Sequence, residues 1–272
     1  NLSDIAAMGC APIWSVVTLG IREDLHVEDL VEMYRCMMDV CSRFGGAVVG
    51  GDIVRSPVLF VTVALEGAVV VCKETMSETG GLLTRHGASP GDEIAVTGHL
   101  GCSAAGFRAL TESGGGRSQG RPCQNESFLH FKDAHNRPIP RVAEGILLTQ
   151  HGVVAAMDIS DGLINDLGKL CEASNVRAVI RSEHIPADRW LRRAHPKHWL
   201  DLALGGGEDY ELIFTAPPKI MAKIVSMLEV QVSIIGHITE GQPEVIVLDK
   251  HNRPMHTEYG GWDHFQKLQD VY

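Results

Sequence analysis

Positive charge is in short supply: 24 Lys and Arg stand against 34 Asp and Glu, a formal net charge of −10 over 272 residues. Sequence-independent binding to nucleic acid neutralises phosphates with clustered basic residues, so that class is set aside. An anionic ligand stays admissible where metal ions supply the missing charge. Membrane-length apolar runs are missing too. The most apolar stretch, "VLFVTVALEGAVVVC" (58–72), is broken by Glu66 and Gly67 and is too short to span a bilayer, and no signal-peptide pattern is present. The seven cysteines are odd in number, dispersed and without a C-x-x-C pair. That argues against a disulfide framework and against a thiolate zinc site, and for reduced thiols in a cytoplasmic protein. Also absent are G-x-x-x-x-G-K-[ST], H-R-D and D-F-G, so neither a P-loop nor a protein-kinase site is expected. No fixed-period repeat occurs. Among 13 histidines only "HPKH" (195–198) approaches ligand spacing, and its proline favours a surface loop over zinc.

What is present reads as a globular α/β chain: 44% hydrophobic and 21% charged residues, with 29 glycines to make tight turns and enough length for a substantial core. "SDIAAMG" (3–9) predicts a helix with Ser3 at its N-cap and Gly9 at its stop. A β-branched strand follows over 13–21. Apolar residues at 27, 30, 31, 34, 37, 38 and 41 then give an amphipathic helix ended by Gly45. Strands "AVVGGD" (47–52) and "VLFVTVALEGAVVV" (58–71) complete a β-α-β-β order, which suits a helix on a mixed or antiparallel sheet. The polar "CKETMSETGG" (72–81) marks the neighbourhood of a domain boundary or a long hairpin loop; the division expected is 1–75 and 76–272. Beyond it, strands at 91–98, "VAAMD", "DYELIFTA", "VSIIGHIT" and "EVIVLD" alternate with helices at 101–110, 141–152, 160–174 and "KIMAKIVSMLEV", and 113–127 reads as a polar surface loop.

The chemistry concentrates in acids beside glycines. "AMDISDGLINDLGKL" (156–170) places Asp158, Ser160 and Asp161 where an apolar run gives way to helical spacing at 163, 164, 167, 170 and 171. Asp158 therefore ends a strand, Ser160 or Asp161 caps the helix, and Asp166 is expected in solvent farther round it. Capping accounts for one acid but not two, and carboxylates this close repel unless a cation or a proton relieves them. "VVGGDIVRSP" (48–57) puts Asp52 after two glycines at the end of a β-branched run, either a plain Gly-Asp turn or a carboxylate placed to hold Mg²⁺. Asp4 in "NLSD" complements a helix dipole or binds a cation. "LGGGEDYEL" (204–212) sets three glycines before Glu208, Asp209 and Glu211, a pattern that points to close approach of backbone or ligand. Trp262 in "GWDHF" is an aromatic face for core packing or a ligand.

In order, "NLSDIAAMG", "GGD", "LLTRHGASPGDEIAVTG", "RPIPR", "AMDISDGL", "LGGGEDYEL" and "GWDHF" resemble the motifs of the thiamine-monophosphate kinase family, over nearly the whole chain. A weaker likeness extends to the superfamily of aminoimidazole ribonucleotide synthetase. The resemblance implies an α/β chain of α+β type, two domains of that synthetase's architecture with mixed or antiparallel sheets and helices packed on them, and homodimerisation through the N-terminal sheets. It implies transfer of the γ-phosphoryl group of ATP onto thiamine monophosphate, with several Mg²⁺ ions and no covalent nucleophile. Asp4, Asp52, Asp158 and Asp161 would be the Mg²⁺ ligands; Gly51, Asp52, Arg85 and Ser160 would meet ATP; Glu208 and Trp262 would meet the thiamine part. Another ATP-dependent member of the superfamily and a noncatalytic nucleotide-binding homologue stay open as alternatives. The family's acidic segment upstream of "NLSD" is missing from this sequence, so a truncated N-terminal domain and severely impaired catalysis by this chain alone are expected.

Overall fold

The computed structural model describes residues 1–70, 81–114 and 126–255. The chain divides into two compact units, Asn1–Leu83 with Pro140–Gly152, and Thr84–Ile139 with Val153–Tyr272.

In the first unit, α1 (Leu2–Ala7) leads to β1 (Cys10–Ile21), α2 (Val27–Phe44), β2 (Val48–Arg55) and β3 (Phe60–Val69), and α5 (Val142–Gln150), fifth helix along the chain, returns to join them. The sheet order is β2-β1-β3, with β1 parallel to β2 and antiparallel to β3. A parallel neighbour needs a crossover, and α2 supplies it, closing on Gly45 at φ +96° as its sequence pattern requires. Helix α1 begins earlier than expected: Asn1 holds the N-cap position and Ser3 is buried inside the first turn. The reason is packing, because Ile5 and Ala6 of the same helix also turn inward and α1 lies on α5. The sequence boundary at 75/76 assigns α5 to the C-terminal part, whereas in the fold α5 packs on α1.

Glycine makes that helix contact possible. A Cβ on Gly145 would collide with the Ala6 carbonyl oxygen, so the two backbones touch where no side chain fits. Gly145→Ala is expected to destabilise the protein by about 2 kcal/mol or more, through forced separation of the helices. A denaturant midpoint equal to that of the parent would contradict this packing.

Much of the first unit's apolar surface lies open in the single chain. No residue of α2 is buried, and Trp14, Val16, Val49, Ile53, Phe60 and Val61 on the sheet and Val27, Val31 and Met38 on the helix are exposed.

The second unit carries β4 (Glu93–Thr97), α3 (Cys102–Gly114), α4 (Glu126–Asn136), β5 (Ala155–Asp158), α6 (Leu163–Ser174), β6 (Arg177–Arg181), α7 (Arg189–Ala194), α8 (Trp199–Gly205), β7 (Leu212–Ala216), α9 (Pro218–Met227), β8 (Val232–Thr239) and β9 (Glu244–Leu248). Its six strands run β5-β7-β4-β8-β6-β9, antiparallel at every step except β6–β9. The main core sits between this sheet and α6, whose Leu163, Leu167, Leu170 and Cys171 are fully buried against Ile94, Val96, Ile180 and Ile213. Each such aliphatic side chain contributes about 1.5–3 kcal/mol of burial. A smaller cluster gathers Cys102, Ala105, Phe131, Leu191 and Leu202 beneath α3, α4, α7 and α8. The residues 195–198 form the link between α7 and α8, as a surface loop should. No helix among the described residues is long and apolar enough to cross a membrane.

Candidate functional site

The strand-to-helix turn that ends β5 is built as its sequence announces, with one substitution of roles. Asp158 is the last residue of β5 and is buried, while Ser160 and Asp161 are half-buried in the turn. Neither of them caps α6. Gly162 takes the N-cap at φ +106°, where a Cβ would press on the carbonyl oxygen of Gly205. The capping acceptor comes from inside the helix: Asp166 Oδ2 accepts from the backbone N–H of Ser160 at 3.0 Å and of Asp161 at 2.9 Å. Asp166 is thus fully buried rather than solvated, because the turn folds back over the first turn of α6.

Lys169 completes this arrangement. Its ammonium donates to Asp166 Oδ1 at 2.8 Å and to Asp161 Oδ2 at 2.5 Å. Burial raises the Asp166 pKa, against the lowering pull of Lys169 and the Asp161 backbone N–H. Burial also works against the Lys169 charge, but its hydrogen bonds to the two carboxylates outweigh that and leave its pKa raised. Three donors converging on one carboxylate make the ionised form of Asp166 the one this geometry holds.

The "LGGGEDYEL" segment lies against that turn. Glu208 N–H donates to the Ser160 carbonyl at 2.8 Å, Tyr210 N–H to Ile159 at 2.9 Å, and Ile159 N–H to Glu211 at 2.8 Å. A Cβ on Gly207 would strike the Ser160 carbonyl oxygen and one on Gly206 that of Leu202, so the triple glycine serves a close approach of two backbones. Glu208 and Tyr210 both have positive φ, +66° and +52°, a strain of about 1 kcal/mol each that this interlock sustains.

Asp209 and Glu211 face inward and anchor the segment, leaving Glu208 exposed. Asp209 accepts from the N–H groups of Gly101 at 2.7 Å and Ser103 at 3.3 Å. Burial pushes its pKa up to about 8, helped by the neighbouring Glu211 and opposed by those two donors. Glu211 accepts from the Thr97 hydroxyl at 2.6 Å, and Thr97 in turn accepts from Leu212 N–H at 2.9 Å. An acid whose folded pKa stands above its unfolded value of about 4 holds an extra proton in the native state between the two values. Stability is therefore expected to fall as pH rises from about 4 to about 8. Asp209→Asn removes that contribution, and denaturation midpoints measured across this range should show a flatter slope for the variant; parallel slopes would sink the assignment.

The other candidates are placed as follows. In the first unit, Asp4 lies in the first turn of α1 with its carboxylate in solvent, 3.9 Å from the terminal ammonium. Asp52 is exposed and lies within β2, not at its end, because Ile53 and Val54 continue the pairing with Leu19 and Gly20. Its Oδ1 accepts from Ile53 N–H at 2.8 Å. Gly51, at φ +156°, lies so close to Val17 of β1 that a Cβ would meet the carbonyl oxygen. In the second unit Arg85 is exposed and its carbonyl accepts from the Ser174 hydroxyl at 2.9 Å. Trp262 and most of 72–81 and 113–127 lie outside the described residues. The second unit thus brings Asp158, Ser160, Asp161 and Glu208 onto two interlocked segments. A pocket of about 110 Å³ opens beside this pair of segments, lined by Arg108, His198, Asp201, Leu202, Gly205 and Gly206. Sequence reasoning missed Lys169 and the inward roles of Asp166 and Asp209; the i, i+3 spacing of Asp166 and Lys169 was the available signal.

The family model for the AIR synthase related protein N-terminal domain matches residues 1–69 and that for its C-terminal domain matches 89–249. The thiamine-monophosphate kinase of Escherichia coli (strain K12) is 35% identical over 269 residues, 97% of this chain and 77% of that protein. The chain belongs to the thiamine-monophosphate kinase family. The Bacillus subtilis (strain 168) family member is 32% identical over 98% of this chain and 79% of its own length. Among solved structures, AaThiL complexed with AMPPCP and TMP superposes with a TM-score of 0.81 at 30% identity, covering 97% of this chain and 77% of that one. Family membership accounts for both halves of the architecture, the three-stranded mixed sheet in 1–69 and the six-stranded sheet in 89–249.

Proposed function

We propose that this chain transfers the γ-phosphoryl group of ATP to the phosphate of thiamine monophosphate, giving thiamine diphosphate. The observation that carries the reading is the interlock of "DISDG" with "GGGEDYE" in a chain of this family. It places Asp158, Asp161 and the exposed Glu208 on two segments joined by backbone hydrogen bonds. Phosphoryl transfer asks a protein chiefly for in-line positioning and charge neutralisation. A chain with a net charge of −10 cannot bring two phosphate groups together unaided.

Carboxylate oxygens are the hard donors that magnesium prefers: Asp4 and Asp52 would offer them from the first unit, and Asp158 and Asp161 from the second, where Asp161 shares one of its oxygens with Lys169. Mg²⁺ held by these carboxylates would supply the positive charge that phosphoryl transfer needs. Gly51, whose missing side chain lets β2 lie close to Val17 of β1, would meet ATP only through its backbone, while Arg85 would offer a planar guanidinium and Ser160 a hydroxyl. Glu208 supplies negative charge for the thiazolium cation, with Trp262 as its aromatic companion. No side chain is needed as a covalent nucleophile.

A homodimer is part of the same reading. Exposed apolar residues recur on β1, β2, β3 and α2, and a second copy would cover them. Ile53→Lys is expected to shift the protein to monomer in sedimentation, and an unchanged mass would argue against this face. A cytoplasmic location rests on the reduced-thiol pattern.

The decisive assay gives the protein ATP, Mg²⁺ and each candidate acceptor. Thiamine monophosphate should drive ADP formation with thiamine diphosphate as product. Turnover with a different acceptor points to another superfamily activity, and binding of ATP–Mg without turnover on any of them to a noncatalytic homologue.

A further inference from the structure

Three side chains that the proposed phosphoryl transfer does not use meet in the smaller cluster of the second unit. Cys102 opens α3, His130 lies on α4 and Asp188 holds the N-cap of α7. Cys102 Sγ lies 4.0 Å from His130 Nε2, which lies 2.5 Å from Asp188 Oδ2, and the three ligand atoms all fall within 4.8 Å of one another. We propose that Cys102, His130 and Asp188 form a site for a borderline-soft divalent cation, zinc by its donor set. This inference does not rest on the kinase reading.

The geometry favours a metal over a reactive thiol. His130 Nε2 faces both Cys102 Sγ and, more closely, Asp188 Oδ2, so one imidazole nitrogen meets two ligand atoms rather than pairing with the sulfur alone. Burial, then the carboxylates of Asp188 and Asp209, push the Cys102 thiol far above its ordinary pKa, so without a cation it is an inert core thiol. A dication reverses that balance, since coordination takes the thiolate and relieves its repulsion with Asp188. The thiol proton leaves to solvent and the imidazole keeps its remaining proton on Nδ1.

The carboxylate is already oriented, because Asp188 Oδ1 accepts from Leu191 N–H at 2.7 Å and leaves Oδ2 for the site. Tetrahedral zinc asks for about 3.3 Å between nitrogen and oxygen ligands and about 3.6 Å between sulfur and nitrogen, so these two pairs move by less than about 1 Å. The His130 side chain is 40% exposed, which gives the ion a way in and leaves a fourth position for water. Thiolate and imidazole are poor ligands for Mg²⁺, so the two cation sites select different ions. Zinc here would tie α3, α4 and α7 together at residues separated by 28 and 58 positions.

The test titrates chelator-treated, reduced full chain with Co²⁺ and competes it with Zn²⁺, in excess Mg²⁺. One equivalent should bind with a thiolate-to-cobalt charge-transfer band, zinc should displace it, and Mg²⁺ should not. Cys102→Ser should abolish the band. His130→Gln sits at the exposed edge and keeps the test alive should the buried cysteine variant misfold; it should weaken zinc by at least about tenfold, the least that disturbing such a site costs. No saturable binding, or a band that survives in folded Cys102→Ser or unweakened in His130→Gln, overturns the proposal.

Discussion

Asp158→Asn is expected to cut thiamine diphosphate formation by at least about a thousandfold, the equivalent of about 4 kcal/mol of transition-state charge stabilisation. Asp158 is buried at the end of β5, where the turn to α6 crowds Ser160 and Asp161 beside it. The amide matches the carboxylate in shape and keeps one oxygen, so the fold should survive while the charge that would hold a cation is gone. The loss should fall on kcat and on the Mg²⁺ requirement together. It is measured as product formed by the variant and the parent, with far-UV circular dichroism and melting temperature as controls for folding. Unchanged turnover in a folded variant would remove Asp158 from the metal set and with it the central argument of the proposed function.

Asp166→Ala is expected to lower stability by about 3 kcal/mol, a drop in melting temperature on the order of 10 °C. Its fully buried carboxylate is the acceptor for Ser160 N–H, Asp161 N–H and Lys169. Truncation strands two backbone donors and deprives the Lys169 ammonium of one of its two carboxylate partners. Lys169→Met tests the same triad from the other side: it leaves the Asp166 charge with backbone donors alone and frees Asp161. Both should also loosen the turn that carries Ser160 and Asp161, so activity should fall beyond what stability explains. A melting temperature within a degree or two of the parent for Asp166→Ala would mean that water replaces the carboxylate at no cost, and that the turn is not organised by it.

The local elements were legible because their information is local. Apolar spacing and a terminal glycine were enough for α2, and short apolar runs for β1, β3, β5, β7, β8 and β9. The triple glycine announced a close approach but not its partner, which proved to be the backbone of Ser160, 47 positions earlier in number (207 less 160). Ser3 and Asp166 misled for one reason. Each reads as a polar residue at a helix start, and propensity says nothing about which face of that turn other elements cover. Asp209 read as one acid among three until Gly101 and Ser103, more than 100 positions away, were seen to donate to it.

The sequence by itself determined the two-part α/β organisation and the acids and glycines at the strand-to-helix turns, since these follow from periodicity, composition and short-range backbone chemistry, and its ordered motifs carried the resemblance to the family. Only the tertiary structure decided that α5 belongs with the first unit, that Asp166 caps the turn from within, and that Cys102, His130 and Asp188 meet. Those outcomes depend on which distant segments the sheet order brings side by side, and burial and pairing energies act on that proximity rather than on spacing along the chain.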